Sequence, residues 1–325
     1  MRFVLVINRL GIGDVVLTTP LAEMIKKSCK ARVGFVVADK SKDLLVNHPY
    51  IDDVFGYSKK TKQEILQKIK ACGYKEALIV DGRLSSTLLA VRANCTLLNK
   101  GFEFSLGKKH LFARKLLASK AKDDFVSYIK FFDDKFDKNA FKPVIGTVNE
   151  ERKQSISEWV AEQFNSTKEI VLVAARTAAS HKNWSKHHLE KLNAYLNEKG
   201  ILPVYVGAPG DYDYIESIGG NKINIAGKFS LRELPEIARY AKFAVSMCTG
   251  PMHAIATTGL PIIAIYGPSD PERWAPDSAI VVQSKLPCVP CLRWANCLQP
   301  AGSTCMDEIS FERVKKVIEE NKFLE

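Results

Sequence analysis

Phe3-Val-Leu-Val-Ile7, then Asn8-Arg-Leu-Gly-Ile-Gly-Asp14, then a helical pattern from Val15 to Lys27, is the stretch that decides the fold class. An apolar run, a glycine-bearing turn and a helical segment read as strand, loop and crossover helix. The pattern recurs, with strands predicted at Val33–Val37 and Ala77–Val80 and helices at Lys62–Ala71 and Ser85–Val91. Such alternation implies a parallel sheet. After Phe141-Lys-Pro-Val144 it starts again, with a helix at Glu150–Phe164 and a strand at Ile170–Ala174. Strands at Pro203–Val206, Phe243–Ser246 and Ile262–Tyr266 follow, separated by helices at His187–Glu198, Leu231–Tyr240 and His253–Thr258. Ser230 and Glu233 have capping-box spacing, and a last helix is predicted over 311–321. Two α/β domains therefore meet between residues 142 and 150.

Length and composition agree with this division. A chain of 325 residues exceeds one typical core, and 46% hydrophobic with 26% charged residues is ordinary for a globular protein. No uncharged apolar stretch is long enough to span a membrane. Met1 leads straight into a strand without a basic leader and cleavage site, so a cytoplasmic protein is expected. The net charge of +11 favours an anionic partner, either nucleic acid or a negatively charged membrane surface. No nucleic-acid-binding signature accompanies it. Cys29, Cys72, Cys95 and Cys248 lie scattered in apolar segments and read as reduced, buried thiols. Cys288-x2-Cys291-x5-Cys297-x7-Cys305 opens with a metal-like pair but lacks a second one. Two readings stand for it, a structural zinc site or reduced cysteines pinning a Pro-rich loop.

Three loops at the carboxyl ends of predicted strands carry chemistry, which is where such sheets bind ligands. Gly11-Ile-Gly-Asp14 is not the GxGxxG of a dinucleotide site, because a carboxylate stands where pyrophosphate would want only amides. Asp14 is thus a helix cap or a catalytic group. Arg176, Thr177 and Lys182 share one strand-to-helix loop and supply fixed charge and short donors for a diphosphate, with Trp184 as its anchor. Thr249, Gly250 and His253 open the next loaded loop, and Tyr266-Gly-Pro-Ser-Asp-Pro271 turns at the end of the following strand.

Arg9-Leu-Gly-Ile-Gly-Asp-Val-Val-Leu-Thr-Thr-Pro20, Lys182-Asn-Trp184, Thr249-Gly-Pro-Met-His253 and Tyr266-Gly-Pro-Ser-Asp-Pro271 together resemble glycosyltransferase family 9, the ADP-heptose:lipopolysaccharide heptosyltransferases. Asp81-Gly-Arg83 and Arg92 resemble the acidic-and-basic segment of that family. The resemblance implies a GT-B fold of two Rossmann-like α/β domains with parallel sheets facing a central cleft. Residues 1–145 would bind the acceptor and 146–325 the nucleotide sugar, the last helix being a candidate to pack back on the N-terminal domain.

It further implies an inverting transfer that needs no metal or other cofactor, from an ADP-sugar to a lipopolysaccharide inner-core acceptor. Asp14 matches the catalytic base. Arg176, Thr177, Lys182, Cys248, Thr249, Gly250 and His253 fall at donor-binding positions, and Gly13, Arg83, Lys108, Lys109 and Arg114 are the acceptor-side candidates. The partners so implied are a nucleotide sugar, an anionic glycolipid of the lipid A-Kdo type and the inner-leaflet surface, met by a monomer that is peripheral to the membrane and binds no nucleic acid. Cys248 departs from the family, which usually has Asp-Thr-Gly here, so another nucleotide sugar or acceptor is the alternative. An NAD-linked oxidoreductase lacks its fingerprint, and a non-catalytic nucleotide- or nucleic-acid-binding protein would suit the charge.

Overall fold

The computed structural model describes residues 1–98, 142–164, 169–292, 297–300 and 302–325. They form two units, Met1–Thr147 and Val148–Glu325. In the first, β1 (Phe3–Asn8), β2 (Arg32–Ala38), β3 (Asp53–Tyr57), β4 (Glu76–Ile79) and β5 (Thr96–Leu97) make a sheet of order β3-β2-β1-β4-β5. Its pairings are all parallel, with Phe3 opposite Arg32 and Val4 opposite Glu76 on the two sides of β1. Val4 to Ile7 are fully buried, as a strand covered on both faces requires. Leu5, Ile7, Phe55, Ile65, Ile69, Tyr74 and Leu89 share one core cluster.

The helices α1 (Ile12–Thr18), α2 (Pro20–Cys29), α3 (Lys62–Cys72) and α4 (Leu84–Arg92) alternate with these strands. The single helix predicted from Val15 is two. Pro20 has no N–H to continue the ladder and becomes the first residue of α2, while Thr19 closes α1 through its N–H and Oγ1 on the Val16 carbonyl, at 3.1 and 2.8 Å. Strand β3 escapes the hydrophobic pattern because its apolar residues are interrupted by Asp53 and Gly56.

Residues 144–147 return along the first unit. The Val144 N–H donates to Thr19 Oγ1 (3.0 Å) and the Gly146 N–H to the Leu44 carbonyl (2.7 Å). His48 Nε2 lies 3.1 Å from the Val144 carbonyl, and its Nδ1 accepts the Tyr50 N–H at 3.1 Å. A side chain at Gly146 would overlap the Val46 carbonyl.

The second unit contains β6 (Ile170–Ala174), β7 (Leu202–Tyr205), β8 (Ile223–Asn224), β9 (Ala241–Met247), β10 (Ile262–Tyr266) and β11 (Ala279–Gln283) in the order β11-β10-β9-β6-β7-β8, all parallel. Its helices are α5 (Glu150–Phe164), α6 (Lys186–Glu198), α7 (Tyr212–Glu216), α8 (Leu234–Ala238), α9 (Gly250–Ala256), α10 (Pro271–Trp274), α11 (Cys305–Glu308) and α12 (Phe311–Glu320). Glu233 Oε2 accepts the Ser230 N–H at 2.7 Å as the capping-box spacing foresees, yet α8 starts only at Leu234, with Pro235 in its first turn where a missing N–H costs nothing. The apolar face of α12, Phe311, Val314 and Ile318, is built into the same core cluster as Leu192, Tyr195 and Ile263. The last helix therefore shares the core of the second unit.

Each sheet thus places its first strand inside, the next two on one side and the fourth on the other. The strand order reverses between β1 and β4 in one unit and between β6 and β9 in the other, and such switch points open a crevice at the carboxyl ends of the strands. Among the described residues no helix is long and apolar enough to cross a membrane.

Candidate functional site

In the first unit the loops after β1 and β4 flank the switch point. Asp14 is the third residue of α1, half-buried, and its Oδ2 accepts the Gly11 N–H at 3.1 Å. The carboxylate thus makes the capping contact, which also aims it. Gly13 precedes it in the first turn of α1 and is half-buried. Asn8 ties the loop down: its Nδ2 donates to the Asp14 carbonyl (3.0 Å) and to Thr18 Oγ1 (3.2 Å), and its Oδ1 accepts the Leu10 N–H (3.1 Å).

Across the switch point, Asp81 and Arg9 form a buried ion pair at 3.4 Å. Gly82 makes this possible. Its φ of 58° is left-handed, a region where a side chain is strained, and it turns the Arg83 N–H back onto Asp81 Oδ1 at 3.0 Å. Arg83 is exposed and donates from Nη1 to the Arg9 carbonyl at 3.0 Å, while Arg92 is exposed at the end of α4. Lys108, Lys109 and Arg114 lie outside the described residues.

In the second unit, the loops after β6 and β9 flank the switch point and the loop after β10 adjoins them. Lys182 is buried, and its Nζ donates to Ser269 Oγ at 3.0 Å. Gly267 permits the approach of that Ser-bearing loop, since a Cβ there would sit 2.8 Å from Cys305 Sγ and collide with Met306. Thr177 is held by Asn183, whose Oδ1 accepts the Thr177 N–H at 2.8 Å. Trp184 is fully buried and its Nε1 donates to the Ile309 carbonyl at 2.6 Å, which closes the loop at its far end. Arg176 points elsewhere: its guanidinium lies 4.4 Å over the Tyr214 ring and 3.5 Å from Asp211.

Thr249 is the N-cap of α9, with its side chain making no cap bond, and Gly250 is the first residue of that helix. His253 is buried and burial pushes its pKa down to about 4, so the imidazole is neutral and offers an N–H, not a charge. Cys248 is half-buried beside Tyr266, whose phenol is driven well above its ordinary range by burial first and by Cys248 second.

The four C-terminal cysteines lie near one another, Cys288, Cys291 and Cys297 all acting on the Cys305 thiol. All eight cysteines are free thiols, and among the described residues no group of three or more His, Cys, Asp or Glu side chains is arranged to hold a metal ion. Cys305 is turned into the core against Gly267, and burial, followed by Cys291, Cys297 and Cys288, raises its pKa to about 11. Sequence reasoning singled out neither Ser269 nor Asn183 nor the Arg9–Asp81 pair. All of these residues sit inside motifs already quoted, but the Arg9–Asp81 pairing is a contact across 72 positions with no local signal.

Residues 63–301 match the family model of glycosyltransferase family 9 (heptosyltransferase). Over 295 residues the chain is 25% identical to lipopolysaccharide heptosyltransferase 1 of Campylobacter coli, covering 82% of this chain and 84% of that one. A glycosyl transferase family 9 structure from Veillonella parvula superposes with a TM-score of 0.78 at 20% identity, covering 99% of this chain and 97% of the other. The Escherichia coli heptosyltransferase WaaC with ADP superposes at 0.68 and 18% identity, covering 98% and 99%. These superpositions show the two-sheet GT-B fold.

Proposed function

The chain belongs to glycosyltransferase family 9, the heptosyltransferases, and from that premise we propose that it moves a heptose from ADP-heptose to an inner-core sugar of lipopolysaccharide in one inverting step. An acceptor hydroxyl attacks the anomeric carbon, its oxygen forming the new bond as the bond from that carbon to the diphosphate oxygen breaks. Asp14 takes the hydroxyl proton. ADP leaves with the bonding electron pair, and the new linkage has inverted configuration.

The observation that carries this reading is Lys182, a buried lysine held by Ser269 at the switch point of the second sheet. A preorganised cation in a water-poor site stabilises charge as it grows on the departing phosphate, so this residue assists the transition state beyond the ground state and supplies the positive charge without a metal ion. Thr177, Thr249, the Gly250 amide and the neutral His253 imidazole add hydrogen bonds to the diphosphate. Arg176, tethered to Asp211, contributes less.

Residues 1–145 hold the acceptor in this reading, with Gly13 leaving room beside Asp14 and Arg83 offering its exposed guanidinium to a phosphate. Lys108, Lys109 and Arg114, the other acceptor-side candidates, draw the protein to the anionic inner leaflet, where it works as a peripheral cytoplasmic monomer. The test is transfer by the purified protein from ADP-heptose to a Kdo-lipid A acceptor, followed by ADP release and product mass. Thermal stabilisation by ADP, UDP and GDP is measured beside it, because a ligand of the native state raises apparent stability. Failure of transfer from every donor offered would leave the non-catalytic binding protein as the surviving reading.

A further inference from the structure

Asp81 and Arg9 take no part in the bond-making step, yet they form a densely hydrogen-bonded, buried polar group in the first unit. Asp81 Oδ2 accepts the Arg9 N–H (3.1 Å), Arg9 Nε (3.4 Å) and Ser86 Oγ (2.7 Å), while Oδ1 accepts the Arg83 N–H (3.0 Å). Arg9 also donates from Nε to Ser86 Oγ (2.9 Å) and from Nη2 to Ser85 Oγ (2.5 Å), and its guanidinium lies 4.2 Å over the Tyr57 ring. The Asp81 side chain is fully buried, and that of Arg9 is 6% exposed.

A buried ion pair is seldom worth more to stability than an apolar pair of similar volume, because desolvation cancels most of the attraction. What an apolar pair could not do is bind two backbone N–H groups from two loops at once. Asp81 does so, joining Arg9 after β1 to Arg83 after β4. The Arg83 side chain then takes the Arg9 carbonyl, so both backbone polar groups of Arg9 are fastened to the second loop. Five positions later comes Asp14, across a turn containing Gly11 and Gly13 and otherwise steadied by the Asn8 amide.

We infer that Asp81, with Arg9, is a positioning residue for Asp14: it sets where the Gly11–Asp14 turn stands at the switch point without touching the substrate. The inference rests on Asp14 being the base. Displacement of a reacting group by about 1 Å can cost on the order of a hundredfold in rate, which is the scale at stake.

The test is the neutral double variant Arg9→Gln with Asp81→Asn, which removes both buried charges together. Asp14→Asn is assayed beside it. With native circular dichroism, the double variant should lose about tenfold to a hundredfold in kcat, while the donor KM and the thermal shift given by ADP stay within about twofold. Arg9→Lys, which keeps a cation opposite Asp81, should recover part of the lost kcat. A folded double variant with kcat within about twofold of the parent, or a loss confined to donor KM, overturns the assignment. Should the double variant not fold, Ser86→Ala deletes one hydrogen bond to each partner at constant charge, and an unchanged kcat there counts equally against it. If Asp14→Asn itself keeps its turnover, the base has been misassigned. If Asp14→Asn is inactive and the double variant is not impaired, only the positioning role fails.

Discussion

Replacing Lys182 with Met should move activity and stability in different directions. The side chain is 8% exposed, and its ammonium donates to Ser269 Oγ at 3.0 Å. Losing that bond from a buried hydroxyl costs about 1 kcal/mol. Against this stands the desolvation of an ammonium that Met, of similar length, no longer has to meet, a penalty on the order of several kcal/mol per buried ion. The melting temperature is therefore expected to hold or rise slightly. Turnover should not follow it, because removing one preorganised group that faces transition-state charge typically costs about 2.7–4 kcal/mol, on the order of 10² to 10³ in kcat. Steady-state ADP release gives kcat and KM, scanning fluorimetry gives the melting temperature, and titration with ADP isolates the ground-state share. A kcat/KM within about threefold of the parent in the folded variant would refute the electrostatic role of Lys182.

Asp14→Asn should leave ADP affinity unchanged and reduce transfer about 10²- to 10⁴-fold, and near-parental turnover would leave Asp14 as the cap of α1 alone. Cys248→Asp should raise kcat/KM for ADP-heptose against other nucleotide sugars by about tenfold or more, the worth of a charge-assisted hydrogen bond to a sugar hydroxyl. Equal ratios in both proteins would show that this position does not read the sugar. Arg176→Ala should change donor KM less than Lys182→Met does, since Asp211 and Tyr214 already occupy its guanidinium. His48 and His253 are both held down from 6.5 to about 4 by burial, so the unfolded chain binds their protons first as pH falls. Stability should be complete above pH 6.5 and decline toward pH 4, by about 3 kcal/mol for each imidazole. Urea unfolding at several pH values measures this, and a flat profile across that window would contradict it.

The fold was legible because each unit repeats one local pattern. The run Phe3–Ile7 is buried from Val4 to Ile7, and the turn that follows it opens a helix as read. Elements without strong periodicity were not legible: β8 is two residues long, and β3 carries an aspartate and a glycine. The individual loops that border the two switch points could be read from residue type, since charge, hydroxyl and glycine at the end of a strand are visible one at a time. Their mutual bonds could not. Lys182 reaches Ser269 across 87 positions, and nothing in either segment alone announces that pairing. The partners of Arg176 were equally hidden, because Asp211 and Tyr214 lie in a loop and helix that sequence periodicity did not reveal.

The return of residues 144–147 decides where this enzyme can be divided by scissors. A fragment ending before Val144 would remove the bonds that Val144 and Gly146 make to Thr19 Oγ1, the Leu44 carbonyl and His48 Nε2, all on the first unit. The sequence pattern restarts after Val144, but the severable joint lies after Thr147. Chimaeras that exchange halves between relatives should therefore carry Gly146 with the N-terminal parent, since it is the Val46 backbone of that parent that leaves no room for a side chain.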